Sequence, residues 1–120
     1  MQAGRSPLEV VEERLAAAEA ALDDATGGTP VCRIGADRLR PVKHQEGRAA
    51  ALAEVRRALR RLEVSPGGEP ACDAEVALVR ATADEWAAKA ELATARGPGW
   101  LAYLRGGADE LDTLARDLGR

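Results

Sequence analysis

Residues 76–93 read VALVRATADEWAAKAELA, and the fold turns on how their apolar members are spaced. Val76, Val79, Ala83, Trp86, Ala90 and Ala93 recur in alternating steps of three and four residues. Such steps keep side chains on one face of an α-helix, because each turn takes 3.6 residues. The same spacing returns in three other segments. Leu8, Val11, Leu15, Ala18, Leu22 and Ala25 form one stripe, and Leu52, Val55, Leu59 and Leu62 another. Leu101, Leu104, Ala108, Leu111, Ala115 and Leu118 form the last. Four stripes separated by turn residues predict an all-α protein, an antiparallel four-helix bundle.

The punctuation places the helices at about 7–25, 42–63, 72–96 and 100–118, with an irregular segment at about 26–41. Ser6-Pro7-Leu8-Glu9 matches a capping box, and Pro7 suits the first helical position because its missing N–H is unneeded there. Gly27-Gly28 ends the first helix, and Pro41 opens the second. Pro66-Gly67-Gly68 and Gly97-Pro98-Gly99 separate the remaining ones. Gly106-Gly107 falls inside the fourth helix, where each glycine costs about 1 kcal/mol relative to alanine, so a break is expected there. The 120 residues suit a single domain, with no repeat beyond the helical spacing and no linker-like stretch. Many stripe positions are alanine, which lets backbones approach but buries little area. A second copy would add buried surface, and a homodimer is expected.

Composition limits the function classes. The chain carries a net charge of −3 and no apolar stretch approaching the ~20 residues of a membrane span. Its start lacks the apolar core of a secretory signal, so a cytoplasmic location is the default expectation. There is no Phe or Asn, one Ile and only two Lys, a bias that a high-GC genome produces without selection on function. Arginine in place of lysine is therefore weak evidence for phosphate or carboxylate recognition.

Charge is nonetheless uneven. Residues 33–61 hold nine basic residues and three acidic ones, a local excess of six in an acidic chain. With Leu52, Val55, Leu59 and Leu62 facing inward, Arg56, Arg57, Arg60 and Arg61 are expected to face outward. One reading is a basic ridge for nucleic-acid phosphates. The other places the basic helix between two acidic neighbours, whose charges fix the order of the bundle. No aromatic residue interleaves with these arginines and no helix-turn-helix spacing is evident, which favours charge ordering.

Other constellations are incomplete. Cys32, Cys72 and His44 make three potential zinc ligands, one short of a closed structural site, and no CxxC pair is present. Both cysteines are expected to be small unpaired residues, with no metal or cofactor. No phosphate loop, nucleophile elbow, HExxH or paired Glu-x-x-His occurs. Adjacent carboxylates such as Glu12-Glu13 and Asp84-Glu85 diverge by about 100° around a helix and read as solvated faces. Trp86 falls on the third stripe, opposite roughly residue 110, and its N–H needs a partner. Trp100 and Tyr103 follow the last turn. Leu78 and Leu92 lie two heptads apart, about 21 Å by helix rise, on a second face of the third helix.

The sequence thus points to a non-enzymatic helical protein-interaction or oligomerisation module. Leu78, Leu92, Trp100 and Tyr103 are the candidate apolar contacts, and Arg56, Arg57, Arg60 and Arg61 would select an acidic partner surface. The alternatives are a nucleic-acid-associated regulator using the basic helix and a small thiol- or metal-dependent protein.

Overall fold

Ser6 opens the first helix by accepting the Glu9 N–H on its hydroxyl at 3.2 Å, half of the anticipated capping box. A computed structural model of the chain describes residues 5–63 and 72–119. Four helices carry them: α1 (Pro7–Thr26), α2 (Ala36–Glu63), α3 (Cys72–Leu92) and α4 (Pro98–Leu118). Short 3-10 turns occupy Val31–Arg33 and Ala93–Arg96, and there is no strand among the described residues. Gly27, at φ 59°, ends α1 in the left-handed region and donates its N–H to Asp23. The anticipated stop at Pro66-Gly67-Gly68 lies outside the described residues.

The second helix begins earlier than Pro41, contrary to the sequence expectation. It starts at Ala36 and passes through Pro41. The proline ring cannot donate to the Asp37 carbonyl, which ordinarily costs a helix interior about 3 kcal/mol. Pro41 itself is exposed, so its ring does not displace core side chains. The early turn is also anchored from outside: the Arg38 guanidinium donates to the Ala25 carbonyl in the last turn of α1 at 2.8 Å.

Neighbouring helices alternate in direction. Arg60 late in α2 meets Glu12 early in α1, while Arg38 meets the end of α1. Likewise Arg80 of α3 reaches Asp112 of α4, and Trp86 lies against Gly107. In such an arrangement α2 and α4 run parallel and form a diagonal. They nevertheless share the most extensive contact in the bundle, whereas α1 and α3 scarcely touch. The cross-section is therefore flattened, with α2 and α4 as its short diagonal, and the molecule measures 50 × 30 × 25 Å.

Glycine makes that diagonal short. A Cβ on Gly47 would overlap the Tyr103 carbonyl oxygen and lie 2.7 Å from its carbon. A Cβ on Gly106 would overlap the His44 carbonyl oxygen and lie 2.9 Å from its carbon. His44 and Gly47 are neighbours on one face of α2, as Tyr103 and Gly106 are on α4, so the contact is reciprocal. Gly107 turns toward α3 and receives the Trp86 ring, where a Cβ would overlap the indole. The expected break at Gly106-Gly107 does not occur, and α4 is continuous. Its glycines are buried packing positions, and the contacts they permit offset their low helix propensity.

The four stripes meet in one core. Leu52, Leu59, Leu111 and Leu114 are fully buried, each stabilising the fold by about 1.5–3 kcal/mol. Because α4 is the common neighbour of α2 and α3, it buries Gly107, Glu110 and Leu114 as well as Leu104, Ala108, Leu111 and Ala115 of its own stripe, while Leu101 and Leu118 at its ends are half-buried.

Candidate functional site

One end of the bundle brings together the last turn of α3, the first turns of α4 and the start of α2. The exposed large hydrophobic residues among those described, Leu92 at 83% and Trp100 at 42%, stand on either side of the α3–α4 turn there. Leu92 is the last residue of α3 and opposite its buried stripe, so nothing in the core claims it. Gly97, at φ 102°, and Pro98 then reverse the chain into α4.

The aromatic residues form a ladder running inward from this end. Trp100 stacks on Tyr103, with ring centroids 5.4 Å apart and planes 9° apart. Tyr103 in turn lies 5.7 Å from Trp86 at a tilt of 37°. Trp86 meets Gly107, one turn short of residue 110, and donates its indole N–H to Glu54 at 3.3 Å. Arg96 sits over the Trp100 ring at 5.9 Å, a cation–π contact at the surface. Burial pushes the Tyr103 phenol above its ordinary range, and the Glu46 and Glu54 carboxylates add to this while Lys43 opposes it.

Beside the ladder, α2 and α4 flank an open groove of about 500 Å³. Pro41, Pro98, Leu101 and Ala102 give it an apolar lining. Arg40 and Arg105 stand at its margins with His44 and a single carboxylate, Asp109. Neither arginine has an ion-pair or hydrogen-bond partner among the described residues. Lys43, on the same stretch of α2, is held by Glu46 at 3.0 Å.

The remaining sequence candidates separate. Leu78 is half-buried and packs against the core, so its apolar surface is used within the chain. Arg57, Arg60 and Arg61 are exposed at the opposite end of α2, but Arg60 is paired with Glu12 of α1 at 2.9 Å. Arg56 departs from the expected outward ridge: it is half-buried, and its Nε is buried without a hydrogen-bond partner among the described residues. It directly follows fully buried Val55, at the edge of the apolar stripe, which accounts for its partial burial. Cys32 is an exposed free thiol, and the Cys72 side chain lies outside the described residues. No three His, Cys, Asp or Glu side chains converge as metal ligands among the described residues.

Sequence reasoning missed the polar knot inside the bundle. Glu110 is 7% exposed and accepts from Arg14 Nε at 2.6 Å and from Arg48 Nε at 2.8 Å. Arg14 also reaches Asp117 at 3.2 Å, and Arg48 donates to Gln45 at 2.5 Å. One carboxylate thereby joins α1, α2 and α4. The available signal was Glu110 directly before Leu111 and one turn before Leu114, a charge at the edge of the apolar stripe. With both carboxylate oxygens engaged by guanidinium groups, Glu110 is suited to fixing helix order rather than to proton transfer. No helix among the described residues is long and apolar enough to cross a membrane. No protein family, curated protein or solved structure matches the chain.

Proposed function

We propose that this protein is a non-enzymatic helical interaction module that self-associates through the end carrying the α3–α4 turn. One observation carries the reading: Leu92 and Trp100, the large apolar residues left exposed among those described, flank the same turn. A lone exposed leucine is ordinary, but Leu92 and Trp100 are grouped at one turn beside the apolar lining of the groove, and grouped apolar surface favours a partner. Trp100 suits an anchor, because its ring is braced by Tyr103 and Arg96 and little side-chain freedom remains to lose on binding.

Cross-helix pairing argues against the nucleic-acid alternative. In the basic helix, Arg48 pairs with Glu110 of α4 and Arg60 with Glu12 of α1, which supports charge ordering for those two arginines. The test of the interaction surface is Leu92→Asp. Its exposed position predicts a melting temperature close to wild type, with a lower solution mass on size-exclusion chromatography with light scattering. An unchanged oligomer would place the contact elsewhere.

A further inference from the structure

We infer that the groove between α2 and α4 is the receptor for the Glu91-Leu92 corner of a second copy of this chain. The inference rests on the self-association reading and names the complementary surface. The groove offers an apolar lining with two guanidinium groups, Arg40 and Arg105, that the chain itself leaves unpaired among the described residues. Asp109 offsets one of them, so the margin keeps a positive excess. The first turn of α4 adds to it, since a helix N-terminus carries partial positive charge and free N–H groups. An occupant should therefore present an apolar side chain with a carboxylate close by.

The chain displays such an element. Leu92 is exposed on the last turn of α3, and Glu91 beside it is exposed and has no ion-pair partner among the described residues. Lys89 and Arg96 flank Leu92 one turn away on either side, and Glu91 directly beside it is the adjacent carboxylate. A bare leucine-to-leucine contact between copies would bring two Glu91 carboxylates together with no guanidinium group between them. Insertion into the groove instead opposes Glu91 to Arg40 and Arg105. Knob and groove lie at the same end of the bundle, so a two-fold axis there would pair each knob with the other copy's groove and close the assembly as a dimer.

Charge reversal tests the pairing. Glu91→Arg alone and Arg105→Glu alone should each weaken self-association by about tenfold or more, because each places like charges together. The double variant exchanges the two charges and should recover most of the loss. Both sites are exposed, and circular dichroism melting of each variant checks that the fold is retained. A wild-type oligomer that neither single reversal weakens would overturn the groove assignment while leaving self-association standing. The same holds if both reversals weaken it and the double variant is no better. A wild-type chain that stays monomeric at all concentrations would overturn the self-association reading itself.

Discussion

The backbone of Gly106 on α4 lies against the backbone of His44 on α2, so close that a Cβ would stand 3.0 Å from the His44 Cα and overlap its carbonyl oxygen. With the matching contact of Gly47 on Tyr103, this draws two parallel helices into the centre of a bundle whose sequential neighbours are antiparallel. The groove, the aromatic ladder and the Glu110 knot are all positioned by that approach.

Gly106→Ala should therefore destabilise the protein despite alanine's better helix propensity. The gain of about 1 kcal/mol from propensity is opposed by overlap with rigid backbone, and overpacking commonly costs about 1–3 kcal/mol. The overlap is with backbone that cannot turn aside, so the upper end of that cost applies, and a net loss of about 2 kcal/mol is expected in urea unfolding. Gly99→Ala is the matched control. Its Cβ would find the Leu39 side chain at 3.5 Å, ordinary contact, so unfolding should be unchanged or slightly harder.

Glu110→Gln keeps the shape of the knot and removes its charge. Arg14 and Arg48 would then face each other without the carboxylate between them. Breaking a buried ion pair costs about 3–5 kcal/mol, and the two arginines keep 26% and 24% of their side-chain surface in water, so about 2–3 kcal/mol is expected. Replacing Arg60 by alanine breaks an exposed pair and should cost under about 1 kcal/mol. Chemical unfolding of the two variants separates the cases, and equal losses would contradict the central place given to Glu110.

The pH limbs follow from two groups. Tyr103 is the only tyrosine, so phenolate absorbance reports one site. Its folded pKa is raised above 10.0, chiefly by burial, so its contribution to stability is complete below about pH 10 and is lost as pH rises through the folded value. The absorbance midpoint should fall above 10, and Tyr103→Phe should remove that alkaline loss. Asp112 behaves oppositely. Its hydrogen bond from Arg80, aided by Arg116, lowers its pKa below 3.8. Its contribution is present above about pH 4 and fades as pH falls through the folded value, a limb that Asp112→Asn should abolish.

The helices were legible because periodicity is a local property. Val79, Ala83, Trp86 and Ala90 were read on one stripe and all are buried together. The diagonal approach was not legible, since a glycine in a helix looks like a cost until the partner that needs its missing side chain is known. Gly106-Gly107 was read as a break for that reason. Pro41 misled similarly: a proline is costly in a helix interior, and whether the helix continues past it depends on outside contacts such as that of Arg38 with the Ala25 carbonyl. Among the candidate contacts, Leu78 and Leu92 share one sequence face, yet packing claims the first and leaves the second exposed. The groove escaped notice because Arg40 and Arg105 lie far apart in sequence and meet only through the α2–α4 contact.

Sedimentation equilibrium of the wild-type chain over a wide concentration range reads self-association without any substitution. The protomer is 12.6 kDa, and self-association predicts a weight-average mass that climbs from this value toward its double as concentration rises. A mass that holds at 12.6 kDa throughout would contradict self-association.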